Sequence, residues 1–156
     1  MESSFITITE GFLIRLVVML VIFFIDNMEP KLKVAILFLL DAVDCGYTQL
    51  VNHKNTGTLS SIYCNDPYYI IGDEFLDILS YIMAFQLLGL SKYYFILVGL
   101  RLFATIMYIW TGNKRWFLMG PDAIKELIMY SWFYPLNYIN IAVIIGIKTA
   151  VEYYYL

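Results

Sequence analysis

The chain has 156 residues, about the length of one domain. It is 61% hydrophobic, 18% aromatic and only 15% charged, with mean hydropathy +0.71, whereas a soluble domain carries roughly 25% charged residues. So little charge excludes a water-soluble globule and a disordered tail. A net charge of −3 lacks the basic surplus of a nucleic-acid binder, which leaves an all-α polytopic membrane protein as the expected class.

The opening MESSFITITE is acidic and polar, unlike the basic start of a cleaved signal peptide, so the first apolar run is expected as a retained helix. A membrane helix needs about 20 mostly apolar residues, and six segments approach that length. They are residues 6–25, interrupted by Glu10 and Arg15; 32–51, holding Asp41 and Asp44; 73–90; 93–111, holding Arg101; 123–136, which is short; and 138–154. Together they predict a single transmembrane domain over 1–156, a bundle of about six helices.

The connections are short and punctuated. Pro30 turns the first, Ser91-Lys92 forms the third, and Gly112, Gly120 and Pro121 break the fourth. Residues 52–72 are rich in Asn, Ser and Thr and contain Pro67, so they read as a loop too polar to span. Lys54, Lys114 and Arg115, with Lys125 and Lys148 near helix ends, fall on the side of that loop, against Lys31, Lys33 and Lys92 on the other. The excess places the loop side in the cytoplasm. Cys45 and Cys64 fit neither a disulfide framework nor a zinc spacing.

Carboxylates inside membrane spans cost roughly 2.5–3.5 kcal/mol each on insertion scales, so their positions carry information. Asp41 and Asp44 are three apart on one predicted helix, and Asp73 and Asp77 are four apart on the next. Each pair shares a helix face. Both pairs flank the same loop, so all four can converge near one membrane surface. Four close carboxylates require protons, arginines or a divalent cation, and oxygen ligands suit Mg²⁺, Mn²⁺ or Ca²⁺. A cation there suits a diphosphate, and a carboxylate outside its coordination sphere could take a proton from a hydroxyl nucleophile.

The stretch Asp41-Ala-Val-Asp44-Cys-Gly46, followed by Asp73-Glu-Phe-Leu-Asp77, resembles the CDP-alcohol phosphatidyltransferase family, whose signature is D-x2-D-G-x2-A-R, then G-x3-D-x3-D. Thr9, or alternatively Thr7, and Arg15 stand where members of that family carry a Thr and then an Arg at the start of the first span. The resemblance covers roughly residues 6–90. Here Cys45 separates the second aspartate from Gly46, and Gln49-Leu50 replaces Ala-Arg. His53, Lys54 or Arg101 are the candidates to replace that arginine.

The resemblance implies transfer of a phosphatidyl or related phosphoalcohol group from a CDP-linked lipid donor to an alcohol acceptor, with release of CMP. It implies a divalent metal, Mg²⁺ or Mn²⁺, contact with membrane lipids, and a homodimer. By acid spacing, Asp41, Asp44 and Asp73 correspond to metal ligands and Asp77 to the general base. By apolar framing from Gly72, Asp77 is instead the third metal-binding aspartate and Tyr81 stands in the place of the fourth. Gly46 would admit the nucleotide, and Arg15 and Arg101 would bind its phosphates.

Plainer assignments stand beside these. Asp41 and Asp44 could form structural ion pairs with Arg15 or Arg101. Asp73 could be an ordinary acid at a helix start, and Arg15 could snorkel to the interface. Arg101, about eight residues into its span, fits a pair with a buried acid. Lys114 and Arg115 fit contacts with lipid headgroups. The alternatives to an enzyme are an inactive or unrelated membrane scaffold, or an ion carrier.

Overall fold

Asp66-Pro67 starts a helix by two local devices. The Asp66 carboxylate accepts from the Tyr68 backbone N–H at 2.8 Å, and Pro67 takes the first helical position, where its missing N–H costs nothing. In the computed structural model, which describes residues 2–40, 66–89, 93–120 and 122–155, every regular element among the described residues is helical. The elements are α1 (Glu2–Phe24), α2 (from 30 to at least 40), α3 (Pro67–Leu88), α4 (Tyr93–Thr111), a 3-10 helix (Lys114–Met119), α5 (Ile124–Ser131) and α6 (Tyr138–Tyr155). The chain divides into two compact units, Met1–Gly89 and Leu90–Leu156.

In the first unit, α1 presents Ile8, Phe12, Arg15, Met19 and Ile22 at alternating spacings of four and three, the pattern of a helix seam. Met19 packs with Leu37 of α2 and with Leu76 and Met83 of α3, and Phe12, Leu16, Leu40, Leu79 and Leu87 close around them. The Phe38 ring meets the fully buried Tyr81 edge-on, with centroids 6.2 Å apart. Lys33 donates to the Phe23 carbonyl at 3.0 Å, a cation satisfying one of the last carbonyls of α1. Gly89, with φ 61°, ends α3 in the left-handed conformation and donates to Phe85 O.

In the second unit, Gly112 (φ 67°) reverses the chain after α4. The 3-10 helix then folds back along α4: Trp116 meets Phe103 edge-on at 6.2 Å, and Phe117 packs on Tyr108 at 5.2 Å. At the far end of this return, a Cβ on Gly120 would lie 2.5 Å from the Leu100 carbonyl oxygen. Only glycine allows that approach. Ile124, Leu127 and Ile128 of α5 are buried, and Asn137 caps α6 by accepting from the Asn140 N–H at 2.8 Å.

The all-helical class matches the expectation, but the described helices do not amount to six spans. One of them, over Tyr94–Thr111, is long and apolar enough to cross a membrane. Helix α3 carries Asp73, Glu74 and Asp77, α6 carries Lys148 and Glu152, and α2 is described only to residue 40. Helix α5, with eight residues, is about 12 Å long. The expected loop over 52–72 also needs revision at its end, because residues 67–72 already belong to α3. Likewise the expected connection over 112–122 contains the 3-10 helix.

Candidate functional site: an arginine between two aspartates

Asp73 and Asp77 lie one turn apart on α3, and Arg15 projects at them from the seam of α1. Arg15 Nη1 donates to Asp73 Oδ1 at 2.7 Å, and Nη2 donates to Asp77 Oδ1 at 2.5 Å. The Arg15 and Asp77 side chains are buried, while that of Asp73 retains 26% of its exposure. The site therefore has a dry end at Asp77 and a wetter end at Asp73. Glu74 is buried on the same helix, and the Ser80 hydroxyl donates to the Asp77 backbone carbonyl at 2.7 Å.

The register of α1 on α3 is set one turn earlier. Phe12 stacks on Tyr69 with centroids 5.4 Å apart, and its ring fills the space a Cβ on Gly72 would need. Arg15 follows Phe12 by three residues on the same face. Gly72, framed in the sequence as part of an acidic motif, thus has a packing task here. Asp73 is not a helix-start acid, because α3 begins six residues earlier at Pro67. Nor does Arg15 snorkel to an interface. It is 3% exposed and holds both aspartates.

Arg101 belongs to the other unit. It donates to the Gly120 carbonyl at 3.0 Å, lies 3.6 Å from Glu152 and sits 4.6 Å over the Phe117 ring. The expected pairing with an acid is present, with half-buried Glu152 as a partner the sequence did not single out. Around it, Glu152 Oε1 accepts from the Asp122 backbone N–H at 2.9 Å. Lys125 lies 3.7 Å from Asp122, and Lys148 donates to Glu126 at 2.7 Å. Phosphate capture by Arg101 would compete with this network.

Asp41, Asp44, Gly46, Cys45, Cys64, His53 and Lys54 lie outside the described residues. Among the described residues, no group of three His, Cys, Asp or Glu side chains is placed to hold a metal ion. Two aspartates sharing one guanidinium do not make a cation site by themselves. Sequence reasoning missed Asp66 as a cap, although Asp-Pro before an apolar run is its usual signature. It also missed Gly120, whose approach to α4 has no local signal. No family profile, curated protein or solved structure matches the chain.

Proposed function

We propose that this is a membrane-embedded protein whose first unit carries the acidic centre of a CDP-alcohol phosphotransferase. The membrane part is supported by apolar faces that are exposed among the described residues. On α1, Leu13, Val17, Val21 and Phe24 form an exposed stripe, and on α6 Ile139, Val143, Ile147 and Val151 form another. In a soluble protein such outward faces are polar. In addition, only 33% of the span window in α4 is buried within the chain, whereas the core helix of a soluble protein is mostly enclosed. A cytoplasmic location for the polar side that precedes α3, and a homodimer, complete this reading.

The catalytic part is carried by one observation: Asp73 and Asp77, residues of the family-like motif, meet Arg15 of the first helix in a largely buried centre. In this reaction an acceptor alcohol oxygen attacks the donor phosphorus. A new P–O ester bond forms, the anhydride P–O bond breaks, and CMP leaves with its electron pair. Asp77 takes the hydroxyl proton as general base. Arg15 orients Asp77 and offers positive charge toward the phosphoryl oxygens. The resemblance adds Mg²⁺ or Mn²⁺ held by Asp41, Asp44 and Asp73. Of that ligand set, Asp73 is among the described residues.

Release of CMP from CDP-diacylglycerol, measured on protein supplied with Mg²⁺ or Mn²⁺ and a panel of alcohols, tests this reading. CMP formation that depends on both acceptor and ion is expected. No release with any alcohol, together with no CDP-dependent shift in thermal stability, would overturn it. A second reading has its own support: Arg15 gives a separate Nη to each aspartate, which is also how a purely structural clamp in an inactive scaffold would look.

A further inference from the structure

At the turn after α4 the chain gathers a specific mixture of side chains. Trp110 is 82% exposed, and Ile106 and Ile109 beside it are exposed as well. Four residues beyond Trp110 come Lys114, half-buried, and Arg115, exposed. No ion pair or side-chain hydrogen bond of either cation occurs among the described residues. Lys31 shares this state, whereas Arg15, Lys33, Arg101, Lys125 and Lys148 are all engaged.

The turn is built rather than loose. Asn113 accepts from the Arg115 N–H at 3.0 Å, and Trp116 and Phe117 pin the returning segment to Phe103 and Tyr108. Gly120 lies beside Leu100, eleven residues or about 16 Å of helix below Thr111. The two cations therefore lie at the tip of a packed hairpin. That tip is also where the span-length apolar window of α4 ends, at Thr111.

We infer that the tip formed by Trp110, Lys114 and Arg115 docks on the headgroup layer of an anionic lipid surface. Tryptophan favours the interface between hydrocarbon and water, and cations next to a span end are drawn to anionic headgroups. The positive charge of the tip selects a lipid of opposite sign. Apolar Ile106 and Ile109 below it face the acyl chains. This inference rests on the membrane placement proposed above and is independent of the chemistry proposed with it.

The full chain in vesicles tests it by tryptophan fluorescence. Brominated phosphatidylglycerol or brominated phosphatidylcholine is present at equal mole fraction in otherwise identical bilayers. The anionic quencher is expected to be more effective. K114Q and R115Q should each reduce that preference by up to about fivefold, the thermal midpoint should stay unchanged, and high salt should erode the preference. W110F/W116F should remove the headgroup-dependent component. Equal quenching by the two lipids in the unaltered chain, or a preference that survives in K114Q/R115Q, would overturn the inference. No quenching by either lipid would overturn it together with the membrane placement. Neither result depends on whether CMP is released.

Discussion

Arg15 Nη1 lies 2.7 Å from Asp73 Oδ1 although the two residues are 58 positions apart in the chain. With Asp77 on the same guanidinium, one cation of α1 ties two acids of α3 at a largely buried helix contact. Removing one side of a buried pair leaves charge without compensation and typically costs about 3–5 kcal/mol.

Arg15→Met should therefore destabilise the first unit by about that amount. Adding Asp73→Asn and Asp77→Asn to the same chain should recover most of the loss, since amides carry no charge to strand. Reversible unfolding in mixed micelles reads both changes. Recovery without CMP release would separate the clamp from the catalytic centre. If Arg15→Met unfolds at the same denaturant concentration as the unaltered chain, the guanidinium does not hold the two helices.

Asp77→Asn bears on the reaction itself. Loss of a general base lowers a rate by about 10²–10⁴-fold, so CMP formation should fall by that factor while the helical signal is kept. Asp73→Asn should act through ion dependence, raising the Mg²⁺ or Mn²⁺ concentration needed. Unaltered CMP release by Asp77→Asn would remove that residue from the base role, whereas loss of Mg²⁺ or Mn²⁺ binding in the variant would favour the alignment in which it is a ligand.

The two close glycines should answer differently to alanine. At Gly120 the new Cβ would meet Leu100 O and C at 2.5 and 2.6 Å, both backbone atoms that cannot move aside. Overpacking of this kind costs about 1–3 kcal/mol. At Gly72 the obstacle is the Phe12 ring, so Phe12→Ala should rescue Gly72→Ala. No single side-chain truncation should rescue Gly120→Ala. Thermal midpoints of the single and double variants test the contrast.

Asp66→Ala removes a capping acceptor for the Tyr68 N–H. The expected cost is about 0.5–2 kcal/mol, with amide exchange accelerated first at 68–70. Uniform exchange along α3 in the variant would show that the cap does not set where the helix begins.

Much of the helical layout is legible in the residues. Helix α4 spans Tyr93–Thr111, as its apolar run, broken only by Arg101, predicts, and α6 starts at Tyr138 immediately after Asn137. These are local signals: apolar length, a capping side chain, a glycine or proline break. The start of α3 was equally local, in Asp66-Pro67, but the polar composition of 52–72 concealed it. The 3-10 helix over Lys114–Met119 was not legible, because it forms by packing Trp116 and Phe117 on α4 rather than by its own propensity.

The candidate site divides in the same way. The spacing of Asp73 and Asp77 by itself puts both carboxylates on one helix face, and composition by itself requires that buried charges be matched. Which cation matches them is a property of the fold. Arg15 reaches those acids because Phe12 fits over Gly72 and sets the register of α1 on α3, whereas Arg101 is engaged by Gly120 and Glu152 in the other unit. Periodicity is written along a single segment, but a partner 58 residues away is chosen only when two faces pack and exclude water between them.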